Sequence, residues 1–126
     1  MKNISNLINW KDGLVPAVIV NAETGQLLTL CYMNEDALKK TLETGLVHVF
    51  RRSKGRLMLK GETSKHTQEV REIRIDCAGN SLEFRVKQNV AACHTGYMSC
   101  YYRRYDPDSD TFVIDGKKVF EPDDVY

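Results

Sequence analysis

The chain has 126 residues, 42% of them hydrophobic and 28% charged, which suits one packed domain and excludes a disordered or low-complexity scaffold. Eighteen Lys and Arg against seventeen Asp and Glu leave a formal net charge of +1, so no global field marks a nucleic-acid or membrane-surface binder. Any anion recognition must be local.

In chain order, MKNISNLINW lacks the apolar stretch of a leader, and the apolar runs near Leu14–Val20 and Leu27–Met33 are too short to span a bilayer. A cytoplasmic protein is expected. Val15 to Val20 and Leu27 to Tyr32 flank Glu23-Thr24-Gly25-Gln26 and predict a hairpin. Asn34 can cap a helix over 35–44 that carries Ala37, Leu38 and Leu42 on one side, and Gly45 can stop it. Val47 and Val49 pair with Leu57 to Lys60 across Ser53-Lys54-Gly55-Arg56. Val70, Ile73 and Ile75 lead through Ala78-Gly79-Asn80 to the alternating Leu82, Phe84 and Val86, a third hairpin. A last ribbon is predicted over 111–120, turned at Asp115-Gly116 between Phe112/Val113/Ile114 and Val119/Phe120. The fold class is mainly β with one or two short helices (α+β), in one domain over 1–126 with its core at about 10–105 and a C-terminal hairpin or tail over 106–126.

The polar residues suited to chemistry concentrate in KGETSKHTQ (60–68), DCAGN (76–80) and ACHTGYMSC (92–100), at turns and strand ends where side chains can converge. In a reducing cytosol the four cysteines, Cys31, Cys77, Cys93 and Cys100, favour thiol chemistry or metal ligation over disulfides. Cys93 and Cys100 lie seven apart, with Cys77 sixteen residues before Cys93. Three thiolates on one Zn²⁺ would leave its fourth tetrahedral position to water. Spacing alone leaves the plainer alternative of buried structural thiols equally open.

GETSKHTQEV (61–70), Asp76-Cys77 and AACHTGYMSCYY (91–102), preceded by CYMNEDAL (31–38), closely resemble the phosphoribosyl-AMP cyclohydrolases, which open the adenine ring of N1-(5-phosphoribosyl)-AMP in histidine biosynthesis. The resemblance covers roughly residues 10–105. It implies a compact, strand-rich cyclohydrolase-like domain in an intertwined homodimer, with zinc held by Cys77, Cys93 and Cys100 drawn from both chains. It also implies a nucleotide substrate and neither nucleic acid nor membrane as partner. The chain departs from the family where Asp-Cys-Asp-x-Asp, the magnesium motif, reads Asp76-Cys77-Ala78-Gly79-Asn80. Asp76 alone keeps its carboxylate, so a Mg²⁺ site is expected to be weakened or missing. Phe50-Arg51-Arg52-Ser53-Lys54 and Met58 also differ from the usual wording.

In the implied reaction, alkylation at N1 makes C6 electrophilic, and the enzyme must supply a positioned hydroxide, proton transfer and a grip on two phosphates. His94, beside Cys93, is the first choice for general acid or base and His66 the second; the plainer readings make His94 an orienting residue and His66 a surface or substrate contact. Lys60, Thr63, Ser64 and Lys65 would hold one phosphate and Arg51, Arg52 and Lys54 the other; each cluster alone reads more often as a solvated turn, and the flanking family pattern is what favours phosphate. Asp76 either binds metal or caps its turn. Cys31 is expected in a buried strand. Trp10, Tyr101 and Tyr102 read as core or interface residues, and the acidic positions after 105 as a solvated tail. Two rival readings are a related zinc hydrolase on another nucleotide or amidine and a non-catalytic dimeric binding module stapled by zinc.

Overall fold

The computed structural model describes residues 4–126; residues 1–3, which begin the segment read as lacking a leader's apolar stretch, lie outside the described residues. A short helix α1 (Ile4–Leu7) precedes β1 (Val15–Asn21) and β2 (Leu27–Met33), which pair antiparallel as the first predicted hairpin. Gly25 takes φ +78 in the connection, where an L side chain would be strained, and its N–H donates to Asn21 O at 2.8 Å.

Helix α2 (Glu35–Thr44) begins where Asn34 Oδ1 accepts the Ala37 N–H at 2.8 Å and ends at left-handed Gly45. It buries Ala37, Leu38 and Thr41. Thr41 Oγ1 donates to Ala37 O at 2.8 Å and accepts the His48 N–H at 2.9 Å. The helix is thereby stitched to β3 (His48–Arg51), which forms a separate two-stranded ribbon with β4 (Arg56–Leu59).

The third predicted hairpin, β5 (Gln68–Ile75) with β6 (Leu82–Gln88), joins the first to give a four-stranded sheet in the order β2-β1-β6-β5. β1 and β6 run parallel, in register Ala17↔Leu82 and Ile19↔Phe84. A parallel pair needs a long crossover, and everything from β2 to β5 supplies it. Because β6 lies inside the sheet, its alternate residues Leu82, Phe84 and Val86 are at most 1% exposed, packed with Val15, Ala17, Ile19, Leu28, Met33 and Leu38. Ile8 joins this cluster from before residue 10, and Trp10 packs against it with Nε1 donating to Ser5 O at 3.1 Å.

The end of the chain differs from the sequence expectation. β8 (Thr111–Ile114) pairs backwards with β7 (Arg103–Asp106), not forwards across Asp115-Gly116 with Val119/Phe120. The earlier turn wins because its own side chains close it. Ser109 Oγ donates to Asp106 Oδ2 at 2.8 Å, Asp110 takes φ +54, and Tyr105 and Phe112 meet across the strands with ring centroids 5.6 Å apart. At 115–116 the chain instead bends, with both N–H groups donating to Tyr102 O, and residues 117–126 run back over the Cys93–Cys100 loop, ending in a 3₁₀ turn at Pro122–Asp124.

Candidate active site

The loop after β6 folds onto itself before it folds onto the sheet. Ala92 N–H donates to Met98 O at 2.9 Å, Cys93 N–H to Tyr97 O at 3.2 Å and Gly96 N–H to Cys93 O at 3.2 Å. Buried Ser99 Oγ then donates to Leu27 O at 2.7 Å, and Cys100 N–H to Leu28 O at 2.7 Å. Pinning both ends of the loop brings Cys93 and Cys100 into contact. Burial pushes the Cys100 thiol up, a hydrogen bond with the Thr29 side chain pulls it down, and neighbouring Cys93 raises it again. Thr95 Oγ1 stands 2.8 Å from Cys93 Sγ.

Cys77 is elsewhere. It is exposed on the β5–β6 turn, which the Ala17↔Leu82 register places beside the start of β1, whereas Leu28 and Cys100 lie beside its end. At ~3.3 Å per strand residue the two ends of the seven-residue β1 are about 20 Å apart. Among the described residues no group of three His, Cys, Asp or Glu stands close enough to hold a metal ion. The expected cysteine triad is therefore not assembled within one chain.

The 76–81 turn does not suit magnesium. Asp76 Oδ1 accepts the Asn80 N–H at 2.8 Å and the Ala78 N–H at 3.2 Å, while Oδ2 accepts Ser81 Oγ at 2.7 Å. These bonds, led by Ser81, hold the carboxyl below its ordinary range. Asn80 Oδ1 accepts from Asn9 Nδ2 at 2.9 Å, and Ala78 carries no donor. The residues left from the family's motif close a turn and clamp it to the N-terminal segment.

A cleft of about 910 Å³ opens between the β3–β4 ribbon, β2 and the loop over 60–66. Arg51, Arg52 and Lys54 line one part of it, and Lys60, Thr63 and Ser64 another. Lys65 does not line it: with φ +68 it turns the chain, its N–H donating to Gly61 O at 2.8 Å. Glu62 pairs with Arg56 at 3.2 Å, and the Arg52 guanidinium lies 4.0 Å over the Tyr32 ring. Lys60 Nζ donates to Ala92 O at 3.4 Å, and its charge lowers both the Cys31 and Cys100 thiols. Cys31 lies in β2 and lines the cleft. Burial pushes its thiol up to about 12, so it stays protonated, pointing at Ala17 O.

Both predicted histidines reach this cleft. His66 is 9% exposed, and its Nδ1 is a buried ring nitrogen without a hydrogen-bond partner. Its backbone is fixed by Ser64 Oγ, which accepts the His66 N–H at 3.2 Å, and by Gln88 Nε2, which donates to His66 O at 3.3 Å. His94 is exposed at the mouth. Two aromatic residues that carry no site signal in the sequence, Phe120 of the expected last ribbon and Tyr126, pack edge-on to these rings. Phe120 meets His66 with centroids 4.7 Å apart, and Tyr126 meets His94 at 6.4 Å. Thr29, Thr95 and Tyr32 were missed as well, because a lone hydroxyl or aromatic on a strand or turn carries no spacing signal. Tyr102 stacks on Tyr97 at 3.9 Å, away from the cleft, while Tyr101 is exposed.

A cleft rimmed by basic groups, with imidazoles on its walls and thiols alongside, has the chemistry to take an anionic small molecule and to move protons beside it. A family model for phosphoribosyl-AMP cyclohydrolase matches residues 29–102. The phosphoribosyl-AMP cyclohydrolase of Methanothermobacter thermautotrophicus is 45% identical over 98% of this chain and 89% of its own length. That of Salinibacter ruber is 50% identical over 91% of this chain and 89% of its own, and that of Methanocella arvoryzae 48% over 93% and 94%. The chain belongs to the phosphoribosyl-AMP cyclohydrolase family and is a hydrolase. No helix among its described residues is long and apolar enough to cross a membrane.

Proposed function

We propose that this chain hydrolyses the N1–C6 bond of the adenine ring of 1-(5-phosphoribosyl)-AMP to the formamidine in histidine biosynthesis, as a cytoplasmic, zinc-dependent homodimer. The observation that carries this reading is the cleft gathering two basic clusters and both histidines beside the Cys93–Cys100 pair.

The donor chemistry fits zinc, since two soft thiols already touch and a third, Cys77, is exposed on a turn that a second copy can bring to them. When bound, the ion makes a water molecule acidic enough to yield hydroxide near neutral pH. Arg51, Arg52 and Lys54 hold one substrate phosphate, while Lys60, Thr63 and Ser64 hold the other with a cation, hydroxyls and backbone N–H groups. This two-ended grip fixes C6 in place before bond making. His94, adjacent to Cys93, takes up a proton from the attacking water. His66, whose ring lines the cleft, returns a proton to N1 as the N1–C6 bond breaks. One water is consumed and no ammonia leaves. No step runs through magnesium.

Purified protein, with zinc content measured by mass spectrometry, should convert phosphoribosyl-AMP to the ring-opened product in a chromatographic assay without added Mg²⁺. Zinc-replete protein that leaves phosphoribosyl-AMP intact would overturn the assignment and favour a relative acting on another nucleotide or amidine.

A further inference from the structure

We infer that the segment over 117–126 is a working wall of the active site, in which Phe120 and Tyr126 are positioning residues for His66 and His94. The inference rests on the proton-transfer roles proposed for those histidines and adds residues outside the 29–102 family match.

The segment is anchored on the loop that carries the cysteines. Val119 N–H donates to Gly96 O at 2.8 Å, and Tyr97 bridges to Lys118. Gly96 is buried at φ +104, and a Cβ there would lie 2.5 Å from Phe120 O and 3.4 Å from Pro122 Cδ. The loop therefore leaves a space, lacking any side chain, in which the segment sits. From that anchor Phe120 reaches His66, with ring planes at 86°. The 3₁₀ turn at Pro122–Asp124, closed by the Val125 and Tyr126 N–H groups on Pro122 O, then redirects the chain. Tyr126 is brought back to the cleft and stands at 90° to the His94 ring.

The two contacts have different weight. His66 Nδ1 has no hydrogen bond to fix its ring, so the orientation of the imidazole depends on packing, and Phe120 supplies an aromatic ring on its edge. His94 is exposed, and Tyr126 is its aromatic neighbour in the fold. An imidazole free to rotate presents its nitrogen correctly only part of the time, and this lowers turnover more than binding.

The test compares Phe120→Leu, Tyr126→Leu and the conservative Tyr126→Phe in the full chain with wild type. Val119→Pro serves as a fourth variant, since it removes the anchoring donor without touching the cysteine loop. Each Leu variant and Val119→Pro should lose roughly tenfold to a hundredfold in kcat with KM within about twofold, and Tyr126→Phe should retain wild-type turnover. NMR of the histidine ring protons gives an activity-independent readout: Phe120→Leu should shift the His66 signals and Tyr126→Leu those of His94 through the lost ring currents. If wild type opens phosphoribosyl-AMP and the Leu variants match its kcat, or if the ring signals stay in place, the inference falls. If wild type does not open phosphoribosyl-AMP, the proposed function falls instead, and the ring shifts still decide whether the segment holds the imidazoles.

Discussion

Two segments of this molecule carry cysteines within short, Gly-containing turns, and the fold uses them in opposite ways. The 76–81 turn spends its polar atoms on itself and on the N-terminal segment, and leaves Cys77 exposed at one end of the sheet. The 91–100 loop is pinned to β2 and brings Cys93 against Cys100 beside a basic cleft. Each offers cysteine near a glycine, and that pattern alone does not identify a ligand. What distinguishes them is where the remaining hydrogen-bonding capacity points. A turn whose carboxylate is fully engaged offers little to a hard cation, but its free thiol remains available to a second chain.

The largest effect should come from breaking that division of labour. Cys77→Ser, Cys93→Ser and Cys100→Ser should each abolish zinc retention and reduce ring opening by at least a thousandfold, as expected when a metal site that generates the nucleophile is lost. If Cys77 acts across two copies, mixing Cys77→Ser with Cys93→Ser subunits and letting them exchange restores one intact site per mixed dimer. Random exchange would then return about a quarter of wild-type activity. Absence of recovery, with exchange verified by mass spectrometry, would place all three thiols within one chain and contradict the observed separation. The next effect sharpens the cleft side of the comparison: His66→Ala and His94→Ala should each lower kcat by roughly 10²- to 10⁴-fold at constant zinc content.

The two buried glycines extend the contrast to stability. A Cβ at Gly79 would lie 2.4 Å from Leu7 O, with φ +73, and one at Gly96 would lie 2.5 Å from Phe120 O. Gly79→Ala should therefore cost about 1–3 kcal/mol in chemical denaturation, because it strains the backbone and pries the N-terminal segment from the sheet. The matching change at Gly96 displaces the segment over the histidines, so its signature is lost turnover. If Gly79→Ala proves neutral in stability, the clamp between turn and N-terminal segment contributes nothing.

The elements legible in the sequence were those whose signal is local. Asn34 and Gly45 bracket α2 as expected, Gly25 turns the first hairpin, and the alternation at Leu82, Phe84 and Val86 marks a strand with one buried face. The two cysteines of the short loop and most of the basic cleft were also legible, since a pinned loop and a turn keep sequence neighbours close. Other features depended on tertiary packing. The expected ribbon at 111–120 does not form because Asp115-Gly116 and Pro107-Asp108-Ser109-Asp110 are both good turns, and the closure of the earlier one by Ser109 on Asp106, with the cross-strand contact of Tyr105 and Phe112, decides between them. Phe120, expected in the last ribbon, and Tyr126, given no role, carry no site signal because their partners, His66 and His94, lie far off in sequence. The separation of Cys77 from the other thiols follows from parallel pairing of β1 with β6, a long-range property that no local pattern encodes.

The smallest effect concerns Asp76. Its carboxyl is held below the ordinary range chiefly by Ser81 Oγ, so proton binding is weaker in the folded state than in the unfolded one. The sign follows directly: the contribution is fully present above the unfolded value of about 3.9 and is lost as pH falls through the folded-state value. Ser81→Ala removes the leading cause and should move the Asp76 titration, followed by carboxyl-carbon NMR, up toward that ordinary value. The apparent stability of the variant and wild type should then converge at acidic pH while differing slightly at neutrality. An Asp76 titration unchanged by Ser81→Ala would mean that the Ala78 and Asn80 N–H groups hold the carboxylate without help from the serine. The self-satisfied character of this turn would then rest on its backbone, and Ser81 would drop out of the contrast with the converging loop.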